Sequence, residues 1–266
     1  MKFITSPRQM QRQALAMRGR GLKIVFVPTM GALHEGHLSL IRRARKLGDV
    51  VVASIYVNPT QFGPKEDFSR YPRRLQRDME LAKQAGANVV FAPTSLYEAD
   101  ASTFVEETQL SRGRCGDFRP GHFRGVATVV CKLFSIVQPH IAVFGQKDAQ
   151  QCDVIERMTR DLFLPVKIVR APIVRDKRGL ALSSRNQYLS PQEYEIALRF
   201  PLALRKATEA RGFSPRRVEE RAMRLLEQAG LRADYATWAN GFLCAAVRVG
   251  KTRLLDNVSY RSGKNK

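Results

Sequence analysis

Acidic residues are in short supply in this 266-residue chain: 24 aspartates and glutamates face 45 lysines and arginines, a formal net charge of +21. Such a surface attracts anions, and charge alone leaves three readings: nucleic acid, a phosphate-bearing small substrate, or plain solubility. The basic residues are scattered and no RNA-binding aromatic signature accompanies them, so nucleic acid is not the expected partner. Cysteine is scarce as well. Cys115, Cys131, Cys152 and Cys244 form neither a Cys-x-x-Cys pair nor a compact framework, which argues against a zinc site and a disulfide-stapled secreted module and for a reducing, cytoplasmic setting. No apolar run approaches the length of a membrane span, so no membrane partner is expected. Two further signatures are missing: an internal repeat, and the Gly-x-Gly-x-x-Gly of dinucleotide-binding proteins.

What is present is the composition of a soluble globular protein, 44% hydrophobic and 26% charged, long enough for one or two domains. The first 22 residues lack acidic groups and carry Arg8, Arg12, Arg18 and Arg20; this faintly resembles a transit peptide, but a short surface helix is the preferred reading. Apolar runs at Lys23–Val27, Asp49–Val57, Asn88–Ala92, Ile141–Phe144 and Val166–Val169 read as strands. Helical periodicity falls between them, at residues 36–47, 75–82, 126–137 and 152–162. Pro93 to Gly121 reads as irregular, with one short strand near Phe104 and Val105. This alternation predicts an α/β fold, a Rossmann-like doubly wound parallel sheet over residues 1–173. Beyond Val174 the character changes: a charged turn at Arg175–Gly179, helices after Ser190-Pro191 and over 216–228, then three short strands with an Asn240-Gly241 hairpin. Residues 174–266 are expected to form a smaller α+β domain, with Arg261 to Lys266 as a frayed basic tail.

Ligands of such sheets bind beyond the carboxyl ends of the strands. The loops expected there hold His34, His37, Asn58, Gln61, Lys147, Gln150, Gln151, Ser183, Ser184 and Arg185, with Asp148 placed to accept from a ribose hydroxyl. The densest stretch is Val27 to His37, Val-Pro-Thr-Met-Gly-Ala-Leu-His-Glu-Gly-His. It puts two histidines at a helix start, where unpaired backbone N–H groups and the helix dipole suit a phosphate. A zinc site would need His-Glu-x-x-His, one residue wider, so no metal ligand is assigned. Histidines satisfied within the fold are the standing alternative.

Six segments in order carry a resemblance: Pro28–His37, Val57–Phe62, Tyr71-Pro-Arg73, Arg119–Val126, Phe144–Gln151 and Gly179–Asn186. Together they resemble the pantothenate synthetase (pantoate–beta-alanine ligase) family of the nucleotidylyl transferases, over nearly the whole chain. The resemblance implies a homodimeric, ATP- and Mg2+-dependent enzyme that joins pantoate to beta-alanine through a pantoyl adenylate, releasing AMP and pyrophosphate. It implies that His34, His37, Lys147, Ser183, Ser184 and Arg185 act on the phosphates. ATP would also meet Pro28, Met30, Gly145, Asp148 and Val174, and pantoate would meet Met30, Asn58, Gln61 and Gln151. The C-terminal domain would serve as a lid that keeps water from the acyl adenylate. The chain departs from the family pattern at Gln146, where a glutamate is usual, at His140, at Leu96–Asp100 and in the short link between Tyr235 and Leu243.

Overall fold

The computed structural model describes residues 1–64, 66–209 and 212–260. They divide into two compact units: residues 1–112, 119–146 and 150–172 in the first; residues 113–118, 147–149 and the described residues from Ile173 onward in the second.

The first unit is built on a six-stranded, wholly parallel sheet. Its strands are β1 (Lys2–Ile4), β2 (Ile24–Thr29), β3 (Val50–Ile55), β4 (Val89–Phe91), β5 (Ile141–Gly145) and β6 (Lys167–Ala171), in the order β1-β4-β3-β2-β5-β6. From β2 the chain winds outward through β3 and β4, then returns to the other side of β2 as β5 and β6. The direction of winding therefore reverses between β2 and β5, the place where open parallel sheets hold ligands. The helices are α1 (Pro7–Gly19), α2 (Glu35–Arg45), α3 (Leu75–Gln84), α5 (His122–Val137) and α6 (Ala149–Asp161), while α4 (Arg114–Phe118) belongs to the second unit. Central strands are buried because their apolar runs are continuous: Ile24, Val25, Phe26 and Val27 are all fully buried.

Four details differ from the sequence reading. The edge strand β1 has only three residues, too few for a periodic signal, and is recruited by pairing Phe3 with Val90. No strand forms at Phe104 and Val105; instead the Val105 backbone N–H and C=O both bond the Thr128 hydroxyl, at 2.9 and 3.2 Å. The five-residue α4 lies in the stretch expected to be irregular. Cys152, Ile155 and Thr159 form a buried stripe on α6 as expected, but the helix ends at Asp161 and Leu162 lies 48% exposed.

In the second unit an antiparallel sheet of β7 (Arg232–Ala239), β8 (Phe242–Val249) and β9 (Thr252–Ser259) carries α7 (Pro191–Ala197), α8 (Arg199–Thr208) and α9 (Pro215–Gln228). Ser190 and Glu193 cap α7 reciprocally, and Pro201 falls in the first turn of α8, so the helical stretch is split at Leu198. Val218, Ala222 and Leu226, four apart on α9, are fully buried with Phe200, Leu204, Leu243 and Val247. The short link closes as a two-residue hairpin: Asn240 and Gly241 both take positive φ, 50° and 84°, the geometry that matches strand twist. The tail expected from Arg261 to Lys266 lies outside the described residues.

Candidate active site

At the carboxyl end of β2 the chain makes a tight turn that four side chains hold. The Thr29 hydroxyl donates to Ser54 O (2.6 Å) and accepts from Gly31 N (3.1 Å). Gly31 and Ala32 follow in the left-handed region, φ 80° and 50°. The Asp78 carboxylate, buried on α3, accepts Ala32 N on one oxygen and Leu33 N on the other, both at 2.8 Å. His34 then caps α2: its Nδ1 accepts Gly36 N (3.1 Å), while His37 Nδ1 accepts His34 N (3.4 Å). The two imidazoles lie 4.1 Å apart between centroids.

This changes the sequence reading of the turn. Its amides at Gly31, Ala32, Leu33, His34 and Gly36 are taken by protein side chains, so they do not form the phosphate cradle expected there. An Nδ1 that accepts an N–H cannot carry a proton, so each neutral ring carries its proton on Nε2 and is a donor there. The histidines are thus capping groups and N–H donors together.

At the end of β3, Asn58, Gln61 and Met30 come together. Asn58 is 1% exposed and Gln61 8%, on a 3-10 turn spanning Pro59–Gln61. Asn58 Nδ2 donates to Gln61 Oε1 (3.2 Å) and to Gly125 O (3.1 Å), and Gln61 Nε2 sits 2.9 Å from Met30 Sδ. Asn58 Oδ1 in turn accepts from the Tyr97 and Thr60 hydroxyls, each at 3.0 Å. The backbone carbonyl of Gln61 meets His122 Nδ1 (2.9 Å) and Arg119 Nη2 (3.3 Å), and Arg119 grips Glu66 through two bonds of 2.7 and 2.6 Å. Burial alone would raise the Glu66 carboxyl, but the hydrogen bonds and charge of Arg119 outweigh it and hold Glu66 below its ordinary value.

The supporting shell is what sequence reasoning missed. Arg119 and His122 sit inside a resemblance motif with no role attached, and Tyr97 lies in a segment read as atypical. Asp78 gave no signal beyond a charge on a helix. Conversely, Gln150 is structural: it is 4% exposed and bonds Leu110 O and Arg112 O at 2.9 and 3.1 Å. Gln151 occupies the first turn of α6, half-buried, and Gly145 ends β5 opposite Ala171. Next to it, Gln146 Oε1 lies 3.4 Å from Arg170, whose guanidinium is held by Glu156 (2.6 Å) and Asp153 (2.9 Å).

The remaining candidates belong to the second unit. Lys147 Nζ pairs with Asp148 at 3.0 Å, and the Lys147 carbonyl accepts from Asn257 Nδ2 on β9 (3.2 Å). Val174 O accepts Leu182 N (2.9 Å), and Ser183 caps the 3-10 turn Ser184–Tyr188 by accepting Arg185 N (3.3 Å). Arg175 and the buried Asp256 form a bidentate pair at 2.6 and 2.8 Å that ties this segment to β9. Burial pushes the Asp256 carboxyl up even against that arginine.

A family model described as pantoate-beta-alanine ligase matches residues 2–259. The chain is 48% identical to pantothenate synthetase 1 of Bradyrhizobium diazoefficiens over 97% of this chain and 98% of that protein. Among solved structures, the pantothenate synthetase of Thermus thermophilus superposes with a TM-score of 0.89 at 40% identity, over 98% of this chain and all of that one. A pantoate-beta-alanine ligase from Francisella tularensis, complexed with beta-gamma ATP and beta-alanine, superposes with a TM-score of 0.86 at 34% identity, over 99% of both chains. The left-handed turn, the paired histidines and the Asn58–Gln61–Met30 cluster stand on a frame shared end to end with these proteins. The chain belongs to the pantoate-beta-alanine ligase family.

Proposed function

We propose that the protein condenses pantoate with beta-alanine to pantothenate in an ATP-dependent reaction that passes through pantoyl adenylate. A carboxylate is a poor acyl donor because its leaving group would be oxide. Attack of a pantoate carboxylate oxygen on the α-phosphorus of ATP forms a new P–O bond, breaks the bond to the β-phosphate oxygen and releases pyrophosphate. The beta-alanine amine then attacks the acyl carbon of the mixed anhydride, loses a proton, and AMP departs.

Charge gathers on phosphate oxygens in the first step, so fixed donors are the main requirement. The observation that carries the reading is the His34–His37 pair, whose Nδ1 atoms are engaged by backbone N–H groups so that the donors lie at Nε2. Gln61 offers a neutral amide with Met30 beside it, and Asn58, whose own amide is spent on Gln61, Gly125, Thr60 and Tyr97, fixes its orientation, a set suited to a small hydroxy acid. Gln151 is assigned to the same substrate. Pro28, Gly145, Lys147, Asp148, Val174, Ser183, Ser184 and Arg185 are assigned to ATP.

Among the described residues no three His, Cys, Asp or Glu side chains gather as a metal cage. Magnesium is assigned to the MgATP substrate, with its ligands supplied largely by phosphates. The test is stoichiometric release of AMP and pyrophosphate from ATP, pantoate and beta-alanine, together with pantoate-dependent exchange of labelled pyrophosphate into ATP. Turnover without pantoate, or none with magnesium present, overturns the reading.

A further inference from the structure

Asp78 is a buried carboxylate that the chemistry above does not use. It is 2% exposed, on the first turn of α3, forty-six residues along the chain from the amide it binds at Ala32. Its two oxygens take two successive amides, those of Ala32 and Leu33, each at 2.8 Å. Two successive N–H groups aimed at one point are the backbone concavity that elsewhere binds a free anion. Here a side chain fills it.

The same turn is strained. Ala32 has φ 50°, a region that a residue with a Cβ rarely adopts, and it follows Gly31 at φ 80°. A Cβ on Gly31 would lie 2.9 Å from Asp78 Oδ2 and 3.0 Å from Ile55 Cγ2, so the carboxylate also sets how closely the turn packs. Met30 stands immediately before Gly31, and His34 immediately after Leu33. One bridging carboxylate thus fixes the spacing between the Met30–Gln61 contact and the histidine cap of α2.

We infer that Asp78 is a positioning residue for the first half-reaction: by clamping the Ala32 and Leu33 amides it holds the left-handed turn that sets Met30 against Gln61 and His34 at the start of α2. The inference rests on the ligase reading and specifies which internal contact makes its donors rigid. Burial raises the Asp78 carboxyl above its ordinary value, and the hydrogen bonds from the Leu33 and Ala32 amides oppose the rise.

The experiment compares wild type, Asp78→Asn, and Asp78→Asn combined with Ala32→Gly. Two rates are measured, pantoate-dependent ATP–pyrophosphate exchange and aminolysis of supplied pantoyl adenylate by beta-alanine. Asparagine keeps the size but turns an N–H donor toward one amide. Exchange is expected to slow by about 30-fold, as misplacement of reacting groups by an ångström can do, with aminolysis at saturating pantoyl adenylate changed less than about threefold. Glycine at position 32 adopts positive φ freely, so the double variant recovers at least about threefold of the lost exchange rate. Unchanged exchange in Asp78→Asn, an equal fall in both rates, or no recovery in the double variant overturns the inference. Should Asp78→Asn fail to fold, amide hydrogen exchange of wild-type Ala32 and Leu33 decides. Protection comparable to that of β2 supports the clamp, and exchange at solvent rates overturns it. A wild-type protein without pantoate-dependent exchange would sink the ligase reading itself, and the amide protection would then still decide whether Asp78 clamps the turn.

Discussion

Histidine is an unusual N-cap; Ser, Thr, Asp and Asn are the residues that ordinarily accept the orphan amides of a helix start. His34 does the capping through Nδ1 and keeps an N–H on Nε2, so one side chain combines two roles that a substitution can separate. His34→Asn supplies a preferred cap without an imidazole. Its melting temperature is expected to stay within about 3 °C of wild type, since the cap is kept and about 1 kcal/mol is worth only a few degrees at this size. Its rate of pantoate-dependent AMP release should fall by about 100-fold, the usual scale for losing one preorganised donor. Calorimetry beside a coupled AMP assay distinguishes the outcomes: full activity with asparagine removes the phosphate role, and a large loss of stability makes capping the dominant one.

Helix α5 shows why an element can be legible while its purpose is not. Its apolar period and the Pro139 stop are plain in the sequence, and the helix runs over His122–Val137. What the period does not reveal is the close approach at Gly125, where an added Cβ would lie 2.3 Å from Thr60 O and 2.7 Å from Gln61 N. Those are backbone atoms of the turn that presents Gln61, and they cannot swing aside as a side-chain tip would. Gly125→Ala should gain about 1 kcal/mol of helix propensity and lose about 1–3 kcal/mol to overpacking, a net destabilisation. It should also raise the KM for pantoate severalfold with the KM for ATP nearly unchanged; a rise confined to ATP would contradict the placement of the hydroxy acid beside Gln61. The same limit explains the other gaps in the sequence reading. The strands β2, β3 and β5, the helix starts and the Asn240-Gly241 hairpin follow from local period and turn chemistry. Asp78 with Ala32, Arg119 with Glu66, and Tyr97 with Asn58 are pairings between segments far apart in the chain, and no local pattern carries them.

At the scale of the whole molecule, the shortage of acid is deepened by where the acids are. Asp153 and Glu156 are committed to Arg170, Glu66 to Arg119, Asp256 to Arg175, and Asp234 to both Arg248 and Arg253. Those pairs cancel locally, so the net charge of +21 is carried by the rest of the basic side chains and gives the protein a broad positive field. Of the proposed substrates, ATP and pantoate are anions, and ATP carries the more charge. A positive field raises their local concentration at low salt and is screened over about 10 Å at 0.1 M salt. Raising ionic strength from about 0.02 to 0.3 M is therefore expected to lower kcat/KM for ATP several-fold, and for pantoate less, while kcat changes by less than about twofold. Fixed-substrate kinetics in two salts of different anion identify the cause. Equal falls in kcat and kcat/KM, or an effect that follows the anion and not the ionic strength, would show that salt occupies the phosphate donors directly. A salt-dependent affinity for RNA or DNA in filter binding, with substrate kinetics flat across the same range, would instead move the purpose of the charge from substrate capture to nucleic acid.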